Sequence, residues 1–182
     1  MRSKEKLRKK FIFLRRRKYF LISSNFYKPL LNKIKLHKNK NISLYYPSNY
    51  EVDTSHLFKM LKKKGFLSTS LPKLMPNGKM KFVNWRYFDP LKVNKYGFLE
   101  PTNNVKSIAP DIVIVPLLAF DRFRNRLGYG KGYYDKFISS LKKRKKAVTT
   151  VGLAFSFQKY KKIPTTKFDM KLDYILTEKG LF

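Results

Sequence analysis

Residues Asp111 to Pro116 read DIVIVP: four consecutive β-branched side chains closed by a proline. A run with no polar alternation fits a strand covered on both faces, and parallel sheets sandwiched between helices are built from such strands. One strand of this kind commits the chain to layered α/β architecture. Neighbouring segments comply. Val148 to Phe155 is a second buried run, and Tyr174 to Leu176 a short last strand. Between the first two, Gly132 to about Lys143 carries Tyr134, Phe137, Ile138 and Leu141 at helical spacing. Upstream, Ile42 to Tyr46 reads as a strand ended by Pro47, and Asp53-Thr54 as the cap of a helix that Gly65 stops. Helices are also expected over Ser3 to about Ser23 and over Pro29 to His37. Strands are expected over Phe66 to Leu71 and Lys79 to Phe88, with Pro72, Pro76, Asn77 and Gly78 marking the turn between them. Pro90 to Pro110 reads mostly as loop, and Arg122 to Leu127 as a polar connector. The expectation is one α/β domain over residues 1–182, with a largely parallel sheet flanked by helices.

Composition narrows the chemistry. Cysteine is absent, which removes disulfides, thiolate nucleophiles and Cys-ligated zinc or iron–sulfur centres. His37 and His56 are the only histidines, so a histidine-rich metal site or a Ser-His-Asp triad is disfavoured too. A metal here is expected to be a hard cation such as Mg²⁺ on carboxylate oxygens. No apolar run nears the roughly 20 residues that cross a bilayer, so no membrane partner is expected. The N-terminal segment is lysine-heavy and serine-poor with no secretory cleavage pattern, and a cytoplasmic location is expected. Charge is extreme: 42 basic residues against 11 acidic ones give +31. Nucleic-acid binding, a taste for anionic small substrates and a lysine-rich coding bias would each account for it.

Gly128, Gly130 and Gly132 alternate with Tyr129 and Lys131 directly before a helix. Glycine lets a ligand come close to the backbone. A helix N-terminus offers N–H groups and partial positive charge, which suits phosphate. Arg126 adds a forked cation and Lys131 a point charge. A tight turn into a helix would also use glycine, but this density of glycine and cation points to an anion loop. It matches neither familiar nucleotide loop. A Walker loop has Ser or Thr after its lysine, where this chain has Gly132; the dinucleotide fingerprint has two spacers before its third glycine, where this chain has one. The pattern alone names no ligand. Asp135 follows in the first helical turn, where the helix dipole favours an acid by itself. Beside phosphate, a carboxylate pairs with Mg²⁺, and Asp169 or Asp173 in KFDMKLD offers a second ligand.

PLLAFDRFRNRLGYGKGYYD (Pro116 to Asp135) resembles the signature of the 5-formyltetrahydrofolate cyclo-ligase family. Other pieces occur in the family's order: Lys4-x-x-Leu7-Arg8, ISLYYPSNYEVDT (Ile42 to Thr54), YGFLEP (Tyr96 to Pro101) and the closing FDMKLDYILTE. The resemblance implies the fold shared with CoA transferases and sugar-phosphate isomerases (NagB/RpiA/CoA transferase-like). It implies that ATP phosphorylates the formyl oxygen of 5-formyltetrahydrofolate to give 5,10-methenyltetrahydrofolate, ADP and phosphate, with Mg²⁺. By position, Lys4, Arg8 and the segment Arg126, Leu127, Gly128, Tyr129, Gly130, Lys131, Gly132, Tyr133 and Tyr134 would contact ATP, with Arg126 and Lys131 catalytic. Tyr46 and Glu51, with Tyr129, Gly130, Lys131, Gly132 and Tyr133, would touch the folate. Asp135 and Asp169 would hold the metal. Two departures stand out: the family usually has glycine where this chain has Arg124, and its bacterial members often have glycine where this chain has Tyr50. Arg124 is expected to change the turn geometry or add a phosphate contact, and Tyr50 to alter the folate pocket.

Two other readings compete: a basic nucleic-acid-binding module, and a phosphate-handling α/β enzyme without ATP dependence, such as a sugar-phosphate isomerase. Against the first, the cations are not interleaved with aromatics in an RNA-binding pattern, and no specific nucleic-acid partner is expected. A monomer is favoured, and the basic surface would suit a polyglutamylated folate.

Overall fold

The computed structural model describes residues 3–33, 40–66, 69–102, 107–144 and 147–182. The first part of the chain forms helix α1 (Lys4–Lys18), a 3₁₀ turn (Ser24–Tyr27), α2 (Lys28–Lys33), β1 (Ile42–Ser43), α3 (Ser55–Lys63), β2 (Thr69–Leu74) and β3 (Met80–Trp85). Short strands β4 (Leu91–Val93), β5 (Leu99–Pro101) and β6 (Ser107–Ile108) follow, then β7 (Ile112–Pro116), β8 (Ala119–Phe120) and β9 (Arg126–Leu127). The chain closes with α4 (Tyr133–Arg144), β10 (Thr149–Leu153), a 3₁₀ turn (Ser156–Gln158), β11 (Tyr174–Thr177) and β12 (Gly180–Leu181).

Among the described residues, eight strands form the main sheet in the order β12-β11-β10-β7-β1-β2-β3-β6. β11, β10, β7, β1 and β2 run parallel, while the pairings of β12, β3 and β6 are antiparallel at the two edges. The β-branched run is central, as its composition demands. Ile112 and Ile114 enter one core with Leu57, Phe58 and Leu61 of α3; Val113 and Val115 enter the opposite core with Ile138 and Leu141 of α4. Each such side chain contributes roughly 1.5–3 kcal/mol by leaving water. A third core seats α1 through Leu7 and Phe11 against Leu118, Ala119 and Leu127, where the β8–β9 hairpin lies. That contact brings the N-terminal helix to the glycine segment. None of the described helices is long and apolar enough to cross a membrane.

Several boundaries differ from the sequence reading. α1 stops at Lys18 rather than near Ser23, because Tyr19 turns extended and both Tyr19 and Phe20 pack on Phe155, with ring centroids 5.8 and 4.7 Å away. The second helix covers Lys28–Lys33, and its expected end at His37 lies outside the described residues. At the Asp53-Thr54 cap the acceptor is Asp53, whose Oδ1 takes the Ser55 N–H at 2.8 Å, while the Thr54 hydroxyl donates to the Tyr45 carbonyl. Pro72 lies inside β2 rather than in a turn. The Leu44 N–H donates to the Ser70 carbonyl, so Ser70, and by alternation Pro72, faces β1; pairing with β1 has ended by then, and no ladder donor is lost. The expected loop at Pro90 to Pro110 contains the β4–β5 hairpin, closed by Asn94, whose Oδ1 accepts from the Tyr96 and Phe98 N–H groups. The expected polar connector is likewise a hairpin end. Buried Asp121 accepts from the Phe123 and Asn125 N–H groups and so folds β9 back on β8.

Candidate active site

A cavity of about 470 Å³ opens beyond the C-terminal ends of β7, β1 and β2, the usual ligand position in an open α/β sheet. Its wall includes Lys4 and Arg8 from the first turns of α1, Tyr46 and Glu51 from the segment after β1, the whole run Arg126 to Asp135, and Asp169 from the loop before β11. Every site residue carried by the resemblance therefore borders one space. Further lining residues had no role assigned from sequence: Tyr45, Pro72, Leu74, Met80, Pro116, and Asn94, Tyr96, Phe98 and Leu99 of the β4–β5 hairpin. YGFLEP was legible as a motif, but its place across from the glycine loop depends on a hairpin that the loop reading missed.

Glycines and cations form part of the cavity wall. Gly130 and Gly132 adopt φ of 101° and 69°, which a side chain would strain. A Cβ on Gly128 would meet Arg126 Nη1 at 2.9 Å, and one on Gly130 would meet Arg8 Cζ at 3.1 Å. The missing side chains thus let two guanidinium groups lie against the loop backbone. Arg8 Nε donates to the Gly128 carbonyl at 3.0 Å. Arg126 Nη2 pairs with Asp135 Oδ1 at 2.7 Å, and the Met170 N–H donates to the same oxygen. Lys4 Nζ pairs with Asp169 Oδ2 at 2.6 Å. Burial pushes the Asp169 carboxyl up, but Lys4 and the Thr166 donors outweigh it and hold the group below the usual carboxylate value. The buried Arg126 Nε has no hydrogen-bond partner among the described residues. Lys131 lies with Nζ 5.2 Å from the Tyr96 ring centroid, and the Tyr133 hydroxyl donates to the Tyr96 hydroxyl at 3.0 Å.

The donor set fits a hard cation. Hydrogen bonds to Asp135 fall on Oδ1 and those to Asp169 on Oδ2, so one oxygen of each carboxylate is unengaged among the described residues. Two carboxylates completed by phosphate oxygens and water make a typical Mg²⁺ environment. Asp173, the other candidate, does not line the cavity. Its Oδ2 accepts from the Thr150 N–H and hydroxyl at 2.8 and 2.7 Å, a role within the sheet.

The wall also holds aromatic rings and one buried acid. Glu51 accepts from the Tyr129 hydroxyl at Oε1 and from the Ser48 N–H, 2.9 Å away, at Oε2. Burial pushes its carboxyl above the ordinary glutamate value, against the opposing pull of the Tyr129 hydrogen bond and of the Arg15 charge. Tyr45, Tyr46, Phe98 and Tyr129 line the same cavity, with the Phe98 and Tyr129 rings edge to face at 6.1 Å. The expectations for Arg124 and Tyr50 need correction. Neither lines the cavity. Arg124 Nε donates to the Leu172 carbonyl at 3.3 Å, and the Tyr50 ring packs on Tyr19 at 5.6 Å. Both residues have left-handed backbone, φ 63° and 61°.

A mostly parallel sheet covered on both faces, with a cation-lined glycine loop at its strand ends, defines an α/β protein whose cavity suits an anionic ligand. The family model of the 5-formyltetrahydrofolate cyclo-ligase family matches residues 1–178, and the chain belongs to that family, a family of ligases. The 5-formyltetrahydrofolate cyclo-ligase of Haemophilus influenzae is 36% identical over 152 residues, which is 80% of each chain. That of Escherichia coli K12 is 30% identical over 142 residues, 75% of this chain and 76% of its own. The solved structure of 5,10-methenyltetrahydrofolate synthetase from Aquifex aeolicus superposes with a TM-score of 0.74 at 30% identity, covering 98% of this chain and 91% of its own. The Mycoplasma pneumoniae synthetase, at 24% identity and TM-score 0.72, shares the fold.

Proposed function

We propose that this chain converts 5-formyltetrahydrofolate and ATP to 5,10-methenyltetrahydrofolate, ADP and phosphate. The formyl oxygen attacks the γ-phosphorus as its bond to ADP breaks. N10 then attacks the activated formyl carbon, phosphate departs with the former formyl oxygen, and the N10 proton is lost. The observation that carries this reading is one cavity that brings together glycines and cations with a carboxylate among aromatic rings. Lys4, Arg8, Arg126 and Lys131 would bind and orient the phosphates, and Glu51 would accept from the donor-rich pterin ring. Catalysis is then positioning plus charge stabilisation, as is general for phosphoryl transfer. Asp135 and Asp169 would hold Mg²⁺, which when bound neutralises phosphate charge. The cations that now pair with these two carboxylates have phosphate as their alternative partner. In this proposal the chain acts as a monomer in the cytoplasm.

Purified protein given 5-formyltetrahydrofolate and Mg-ATP is expected to develop the near-ultraviolet absorption of the methenyl product. No change with folded protein overturns the proposal, and turnover without ATP favours the ATP-independent reading instead. Asp135→Ala and Lys131→Ala are each expected to lower kcat about 10²-fold while circular dichroism stays unchanged. Near-normal rates would remove those residues from their roles.

A further inference from the structure

Arg15 is 1% exposed and lies on the inner face of α1. It forms no ion pair among the described residues. Its guanidinium makes one short hydrogen bond, Nη2 to the Tyr129 hydroxyl at 2.7 Å, and one long one, Nη1 to the Leu117 carbonyl at 3.5 Å; Nε has no partner. The cation also lies over the Tyr129 ring, 5.5 Å from its centroid. Burying a guanidinium without an adjacent carboxylate is costly. The compensating charge sits one hydroxyl further on, because the Tyr129 phenol accepts from Arg15 and donates to Glu51. Guanidinium, phenol and carboxylate form a directional chain in which each bond polarises the next. Lys4, Arg8 and Arg15 stand at spacings of four and seven, so one face of α1 carries two residues of the cavity wall and the cation that bonds a third, Tyr129.

We propose that Arg15 is a positioning residue for the folate subsite, holding the Tyr129 hydroxyl on Glu51 and so fixing the carboxylate that accepts from the pterin ring. This rests on the folate reading of Glu51. Ser48 and Tyr129 bond to the carboxylate directly, and Arg15 opposes the upward push of burial on it. Tyr45 and Tyr134 are close enough to feel its charge, and Arg126 acts on Tyr134 from the loop side. Loss of the Arg15 charge therefore moves the Glu51 carboxyl further up, and protonation removes one acceptor from the subsite.

The test combines folate affinity by titration calorimetry with the pH profile of kcat/KM for 5-formyltetrahydrofolate. Arg15→Met, which keeps the stem but not the charge, is expected to weaken folate binding about tenfold and to move the acid limb up by about one pH unit. KM for ATP should stay within about twofold, since Arg15 does not border the cavity and meets the loop only at the Tyr129 side chain. Arg15→Lys restores the charge without the fork and is expected to return the limb toward the parent position. Tyr129→Phe cuts the chain while keeping both charges, and its limb should move the same way. A folded Arg15→Met protein with parental folate affinity and limb overturns the proposal. Where that variant does not fold, an unmoved limb in Tyr129→Phe overturns it. A parent that binds folate without turnover refutes the proposed reaction while the affinities still decide the role of Arg15, and a parent that does neither overturns both.

Discussion

Arg124 and Tyr50 occupy left-handed backbone, φ 63° and 61°, where a Cβ crowds the following carbonyl at a cost of roughly 1–2 kcal/mol relative to glycine. At Arg124 the turn is imposed from outside by Asp121, whose carboxylate takes the N–H groups on either side of it. The side chain returns little, a 3.3 Å bond to Leu172. Arg124→Gly is therefore expected to be about 1 kcal/mol more stable than Arg124→Ala, both having lost that bond. Equal urea midpoints for the two would show that the turn carries no such strain. The glycine that the resemblance leads one to expect at both positions thus reflects a backbone requirement, which this chain meets with larger residues. Glu51 gives a pH-dependent test at the same scale. Its folded pKa lies above the unfolded value, so between the two the native state binds more protons and this group's contribution falls as pH rises. Compared with Glu51→Gln, the parent should gain unfolding free energy as pH drops through the folded pKa; a pH-independent difference would mean that folding does not raise the pKa of this carboxyl.

Among the elements, β10 shows how tightly the sheet is built. A Cβ on Gly152 would lie 2.6 Å from Leu117 Cδ2 and 2.8 Å from both Ile175 Cδ1 and Leu172 Cδ1. Those side chains are at most 2% exposed, so none has open space to swing into. Gly152→Ala is expected to cost about 1–3 kcal/mol by overpacking, seen as a lower Tm, and an unchanged Tm would show that the core gives way freely. The strand itself was legible, because burial on both faces writes itself as an unbroken apolar run. The glycine loop and Asp135 were legible for a similar reason, since their chemistry is local. The hairpins were not. β4–β5 and β8–β9 have strands of two or three residues, too short for a period to register, and their turns depend on single side chains, Asn94 and Asp121. Nor was Arg15 legible, for it reads as one of four consecutive basic residues in a last helical turn. Only the packing of α1 against the β8–β9 hairpin turns that one cation inward.

For the molecule as a whole, a net charge of +31 sets two tendencies against each other. Like charges repel within the compact state and lower its stability. The same surplus draws polyanions toward a cavity lined by Lys4, Arg8, Arg126 and Lys131, with Asp135, Asp169 and Glu51 as its carboxylates. Added salt screens both effects, since the Debye length shrinks from about 30 Å at 0.01 M to about 8 Å at 0.15 M. Screening therefore strengthens the fold and weakens the capture of ATP. Over that range the Tm of the protein without ligand should rise, because repulsion between distant surface cations is what screening removes. The KM for ATP should rise as well, because long-range attraction of the triphosphate is screened while the short contacts inside the cavity are not. Paired measurements, thermal unfolding and initial rates over one sodium chloride series, check this. A Tm that falls with salt would mean that local ion pairs such as Lys4–Asp169 outweigh the repulsion, and an unchanged KM would mean that ATP is held by the cavity's contacts alone, with no share from the surrounding field.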